Sequence, residues 1–142
     1  MQASMLAPPA MLVLWSLVML GWLAIVRFRA MANSRITILA PGGRGQDLDT
    51  VLPRAANWPA HNYTHLMEQP TLFYAICLIL AVLGAQGEDI LFAWAYVLLR
   101  VIHSLWQARV NTIPVRLALF GASTGCLLVL SVRAAILALR IA

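Results

Sequence analysis

Four long apolar runs constrain this chain more than any other feature of its sequence. They predict helices at about 9–30, 61–84, 89–108 and 113–140, with a polar loop at about 31–60. A helix needs roughly 20 residues to cross about 30 Å of hydrocarbon, and each run is close to that length. We therefore predict an all-α fold: a single integral membrane domain over residues 1–142, built as a four-helix bundle.

The charged residues exclude a nucleic-acid partner and favour a lipid environment. Only 11% of the residues are charged, although the formal net charge is +5; an ordinary soluble domain carries about 25%. The basic residues are all arginines spread among apolar runs, not gathered in a solvated tract. Cys77 and Cys126 lie inside apolar runs without Cys or His at ligand spacing, which indicates small buried hydrophobes and neither a metal site nor a disulfide.

The arginine bias predicts the orientation of the helices. The loop after the second helix is acidic, with Glu88 and Asp89, whereas arginines mark the end of the first helix and the other two loops: Arg27, Arg29, Arg35, Arg44, Arg54 and Arg109. We expect both termini outside and the arginine-bearing loops in the cytoplasm.

Ionisable side chains within the apolar helices are the candidate functional residues. Each costs about 2.5–3.5 kcal/mol on insertion scales and needs a partner or water. His61, His65 and Glu68 share one face of the second helix, and Tyr96, Arg100, His103 and Gln107 share one face of the third. We expect an ion pair between Glu68 and Arg100.

Two interpretations of these residues stay open at this point. The polar cluster either locks the helices together or binds a ligand. Arg116 has no acidic neighbour in sequence, so it either holds an anionic ligand or reaches the lipid headgroups. Arg133 and Arg140, at the other end of the fourth helix, are expected to reach headgroups.

Two motifs carry a resemblance to a known family. The second helix contains NYTHLMEQPTLFY at 62–74, the third ends in Arg100-Val-Ile-His103-Ser104, and Arg116 follows thirteen residues after that histidine. This pattern resembles the MAPEG family, the membrane-associated proteins of eicosanoid and glutathione metabolism, and most of all its small bacterial members.

The resemblance implies a homotrimer of left-handed four-helix bundles in the bacterial inner membrane, with both termini periplasmic. It implies that glutathione, as cofactor, binds between subunits near the cytoplasmic face and reacts with lipophilic electrophiles in a transferase or peroxidase reaction. Arg116 would stabilise the glutathione thiolate as the catalytic residue. The implied glutathione-binding residues are Arg27, Arg29, His65, Glu68, Arg100 and His103.

Two positions depart from the family pattern. His65 stands where the family has asparagine, and Gln107 stands where several glutathione-using members have tyrosine. They favour the alternative hypothesis, a non-catalytic membrane protein whose polar cluster is structural or binds a lipid headgroup or another anion.

Overall fold

The computed structural model describes residues 3–34 and 42–141, and this part of the chain contains four long helices. They are α1 (Ala7–Asn33), α2 (Arg54–Leu83), α3 (Gly87–Arg109) and α4 (Ile113–Ile141). A 3-10 helix precedes α1 at Ala3–Leu6, and another, which we call the loop helix, spans Gly45–Thr50. All four long helices are long and apolar enough to cross a membrane. The predicted all-α membrane bundle is confirmed; Arg35 lies outside the described residues.

The second helix begins at Arg54, earlier than the predicted start near residue 61, and the loop before it is correspondingly shorter. Its 30 residues span roughly 45 Å at about 1.5 Å per residue, which is longer than the hydrocarbon layer. The first two turns, which contain Arg54 and Asn57, can therefore lie outside the lipid. The apolar run in the sequence marks only the part that lipid surrounds, so it underestimates the helix.

The helix ends follow from local chemistry. Gly84 ends α2 in the left-handed region, with φ of 104°, a conformation that glycine adopts without steric cost. At the start of α3, the Asp89 carboxylate accepts a hydrogen bond from the Gln86 backbone N–H at 2.9 Å. These two ends agree with the sequence prediction.

Arg133 corrects a prediction at the same end of the bundle. Its Nε donates to Oδ1 of Asp89 at 2.8 Å and its Nη2 to Oδ2 at 3.2 Å. Asp89 is only 1% exposed, and a buried carboxylate needs a cation. The arginine therefore clamps α4 to α3 instead of extending to the headgroups as predicted.

The apolar core lies in the half of the bundle that contains this clamp. Phe73 of α2 stacks on Tyr96 of α3 with ring centroids 4.2 Å apart, and both are fully buried. Other fully buried core residues come from all four helices: Leu12, Met19, Cys77, Leu80, Ala93 and Leu130. The outer surface carries exposed leucines and valines such as Val82 and Leu139, as expected for a surface that faces lipid.

Hydrogen bonds between helices fix their register in the other half. Tyr96 donates to Gln69 at 3.3 Å, and Gln69 donates to Thr124 at 2.8 Å. Four residues earlier on α2, the His65 ring lies against Phe120 of α4, with centroids 5.2 Å apart. In both of these contacts, Gln69 with Thr124 and His65 with Phe120, the residue number on α4 is 55 higher than that on α2. The two helices therefore run in the same direction, and Arg116 lies level with His61.

Candidate functional site

A polar cavity of about 840 Å³ opens between α1, the loop helix and α2. Its walls combine imidazole, carboxylate and guanidinium groups from α1, the loop helix and the residue before it, α2 and α4, and an amide from α3. The side chains that matter chemically are Arg27, Arg44, Asp49, His61, His65, Glu68, Gln107 and Arg116. A volume of 300–1,000 Å³ is typical of small-molecule sites.

Asp49 ties the loop helix to the bundle at this cavity. Its Oδ1 accepts a hydrogen bond from Arg27 Nη2 at 2.9 Å, and its Oδ2 lies 2.9 Å from His61 Nε2. Its backbone carbonyl accepts from Asn57 Nδ2 at 3.3 Å. Charge-assisted hydrogen bonds of this kind are the stronger ones, so this carboxylate positions both the loop and the Arg27 guanidinium.

Asp49 and Asn57 were not predicted, because both lie in the stretch predicted to be a polar loop at about 31–60. Asp47 does have a sequence signal, because it is an acidic residue three positions after Arg44. Its Oδ2 accepts a hydrogen bond from the Arg44 backbone N–H at 2.7 Å and so caps the loop helix. No pattern in the sequence links Asp49 to Arg27, because the contact spans 22 positions.

Glu68 does not pair with Arg100 as predicted. Its Oε2 lies 2.9 Å from Nδ1 of His65, one turn earlier on the same helix, and its side chain is 62% exposed. Arg100 is fully buried and points into the bundle. Helical spacing correctly predicted that His65 and Arg100 face neighbouring helices. The Glu68 side chain, however, points in a different direction from the α2 axis and does not reach the interior.

Arg100 instead donates to the backbone carbonyl of His65, with an Nη2–O distance of 2.9 Å. Its guanidinium carbon also lies 5.9 Å from the centroid of the Phe120 ring. Its Nε and Nη1 have no hydrogen-bond partner in the described part of the chain. A buried cation in this condition calls for water or an anion close by.

Arg116 extends from the first turn of α4 into the cavity. Its Nη1 donates to Oδ1 of Asn111 at 2.7 Å, a neutral partner. Among the described residues it forms no ion pair, and its Nε is buried without a partner. Its positive charge is therefore uncompensated where it borders the cavity.

Asn111 was also missed, although a signal was present. It has a φ of 60°, and asparagine tolerates the left-handed region better than most residues. Together with the following Thr-Ile-Pro it marks the turn between α3 and α4. Its side chain then faces Arg116, which no sequence rule predicts.

A second, smaller cavity of about 230 Å³ adjoins the first. Its walls are mainly apolar, with Ile113, Leu117 and Phe120, and His103 also contributes. The His103 and His65 rings are 5.1 Å apart. Two side chains, His65 and Arg116, line both cavities, so they form the boundary between the polar space and the apolar one.

Of the other predicted residues, some line the larger cavity and some do not. Arg27 lines the larger cavity, whereas Arg29 is exposed and does not. Gln107 lines it too, 3% exposed and with its Oε1 unpartnered within the described ranges. No group of three metal-ligating side chains occurs in residues 3–34 and 42–141. The binding roles given to these residues stay predictions.

Comparison with known proteins gives one match. The model of the MAPEG family matches residues 5–136 of the 142-residue chain, a range that contains α1 to α3, most of α4 and the residues that line both cavities. No curated protein and no solved structure is significantly similar to the chain.

Proposed function

The chain belongs to the MAPEG family, and from this membership and the site geometry we propose that it is a glutathione-dependent transferase or peroxidase. In this proposal glutathione binds in the larger cavity, with its thiol at the boundary formed by His65 and Arg116. A lipophilic electrophile reaches the thiol from the bilayer. The product is a thioether in the transferase reaction. In the peroxidase reaction a lipophilic hydroperoxide is reduced to an alcohol and water while two glutathione molecules are oxidised to the disulfide.

The observation that carries this proposal is the unbalanced charge of the larger cavity. Its two carboxylates already have partners: Asp49 holds Arg27 and His61, and Glu68 holds His65. Arg44 and Arg116 also line the cavity, and neither forms an ion pair within the described residues. Two free guanidinium groups beside an open polar cavity suit an anionic ligand.

Glutathione matches this arrangement by its own chemistry. It carries two carboxylates that guanidinium groups can bind, and a thiol whose anion is the nucleophile. A nearby guanidinium favours the thiolate over the thiol. Arg116, which also borders the apolar cavity, is the cation best placed for this role, and an electrophile with a small apolar group fits the space beside Ile113 and Leu117.

We further propose a homotrimer in the bacterial inner membrane, with the cavity at the cytoplasmic side and both termini periplasmic. The arginine bias supports this orientation. Glu68, Ile113 and Leu117 surround the site yet are exposed in one subunit, as they would be where a neighbouring copy completes the cavity. Native mass spectrometry of the detergent-solubilised protein should detect three copies, and a strict monomer would contradict the proposal.

Glutathione binding by the detergent-solubilised protein is the direct test. Isothermal titration should show saturable binding, and ultraviolet difference absorbance should show the thiolate. Arg116→Ala should weaken the thiolate signal by roughly tenfold or more, since a hydrogen bond to a charged group contributes about 1.5–3 kcal/mol. Arg140→Ala makes the same chemical change at the exposed far end of α4 and should change nothing.

The non-catalytic alternative is supported by one observation. Gln107 lies in the cavity wall where several glutathione-using relatives carry tyrosine, so a hydroxyl that could assist the thiol is replaced by an amide. If an intact assembly binds inorganic phosphate or anionic lipid vesicles through Arg116 but not glutathione, the alternative is correct and the enzymatic proposal is wrong.

A further inference from the structure

His65 and Glu68 form a carboxylate–imidazole pair at the boundary of the two cavities. Nδ1 of His65 lies 2.9 Å from Oε2 of Glu68. Because an ionised carboxylate can only accept, Nδ1 carries the proton in this bond. The neutral imidazole then has its lone pair on Nε2, the nitrogen that can accept a proton.

The backbone at His65 is fixed independently of this side chain. Arg100 donates to the His65 carbonyl oxygen at 2.9 Å from the fully buried position already described. The ring is packed between His103 and Phe120, with centroid distances of 5.1 and 5.2 Å. Both the position and the tautomer of this imidazole are therefore set by the protein before any ligand binds.

The Nε2 atom of His65 has no hydrogen-bond partner in residues 3–34 and 42–141. The side chain lines the larger polar cavity and the smaller apolar one, and Arg116 is the other residue that does so. A base and a cation thus border the same space, where a proton would leave and a negative charge would develop. This is the arrangement that activates a nucleophile through an adjacent base.

We propose that His65, oriented by Glu68, is the general base that removes the proton from the thiol bound beside Arg116. This inference rests on the proposed glutathione-dependent function and adds a base to it. The S–H bond breaks, the proton moves to Nε2 of His65, and the electron pair remains on sulfur as a thiolate opposite Arg116.

In the transferase reaction the remaining steps balance without a further reactant. The sulfur electron pair forms a bond to the electrophilic carbon in the apolar cavity, and the leaving group departs with the electrons of its own bond. The imidazolium returns its proton to the leaving group or to water. Glu68 does not change protonation; it stabilises the imidazolium and holds the ring, which makes it a positioning residue.

The first test compares His65→Asn with the unsubstituted protein at saturating glutathione, where the thiolate fraction does not depend on affinity. Asparagine keeps a polar side chain and leaves the carbonyl that Arg100 binds. We expect glutathione to bind within a few-fold of its original affinity, while thiolate absorbance falls about tenfold and turnover falls about 100-fold, as for loss of a general base. Glu68→Gln should lower the thiolate fraction in part. Glu88→Gln, the same change at an exposed site at the other end of the bundle, should not.

The second test is chemical rescue. His65→Ala opens space beside both cavities, and added free imidazole should restore turnover in a concentration-dependent manner. The same imidazole should not rescue Arg116→Ala, since it supplies a base and not a cation. A purely structural role of His65 would give no rescue by a small diffusible base.

The outcomes separate the two proposals. Glutathione binding with an unchanged thiolate fraction in His65→Asn, or the absence of rescue in His65→Ala, would overturn the base while the glutathione function stands. No glutathione binding by the unsubstituted protein would overturn both. Lost thiolate, retained binding and imidazole rescue together would establish His65 as the base.

Discussion

Substitutions of Asn111 can separate an effect on ligand binding from an effect on the stability of the fold. It lies in the turn between α3 and α4 with a φ of 60°, and its Oδ1 accepts the hydrogen bond from Arg116 Nη1 at 2.7 Å. Asn111→Gly removes the side chain but keeps a residue that adopts positive φ freely. Asn111→Ala removes the same hydrogen bond but keeps a Cβ, without the short polar side chain that lets asparagine tolerate the left-handed region.

Both variants should therefore weaken ligand binding, but they should differ in stability. A hydrogen bond to a charged group contributes about 1.5–3 kcal/mol, and partial exposure of both partners reduces this to about 1 kcal/mol here. Arg116 would then be less well positioned, and the affinity for the anionic ligand should fall by roughly fivefold. Asn111→Ala should in addition be about 1–2 kcal/mol less stable than Asn111→Gly, because only glycine adopts the left-handed region without steric cost.

Isothermal titration with glutathione and thermal unfolding in the same detergent measure the two effects. We expect equal weakening of binding in both variants, with a lower unfolding midpoint for Asn111→Ala alone. Equal midpoints would refute the backbone argument. Unchanged binding in Asn111→Gly would show that Arg116 does not depend on this hydrogen bond for its position.

Two further perturbations test the loop helix and the end of α2. Asp49→Asn keeps the shape of the side chain but removes the charge that Arg27 and His61 share, so the amides of the loop helix should exchange hydrogen several-fold faster by mass spectrometry; unchanged exchange would mean that other contacts hold the loop. Gly84→Ala should lower stability by about 1 kcal/mol because its φ is 104°, whereas Gly87→Ala, also with open space around its Cβ, should have little effect on the unfolding midpoint.

The fold could be predicted from the sequence because lipid imposes simple rules. Four runs of the right length predicted four helices, and Gly84 predicted the end of α2 at the residue where the structure ends it. The start of α2 was less predictable. Residues 54–60 mix Arg54 and Asn57 with alanines, a tryptophan and a proline, so neither hydropathy nor a strong cap marks Arg54 as the first helical residue.

The sequence predicted which types of residue form the site, but not how these residues pair with one another. Spacing correctly brought His65, Arg100 and His103 to the interior of the bundle, because residues on one face of a helix follow a fixed period. Spacing did not determine partners. Glu68 is three residues from His65 and pairs with it, while Arg133 is 44 positions from Asp89 and pairs with that residue. A difference of a few tens of degrees in the direction of a side chain around its helix axis decides such contacts. A sequence pattern does not resolve so small a difference.

The two departures from the family pattern have a common chemical consequence at the cavity. Gln107 lines it with an amide that does not ionise, whereas His65 lines it with an imidazole that can take up a proton. In the mechanism we propose, the pair of His65 and Glu68 provides on α2 the acid–base group that Gln107 cannot provide on α3. Arg116, which has no ion-pair partner among the described residues, borders the same cavity, so in this proposal the site combines a cation for the thiolate with a base to form it.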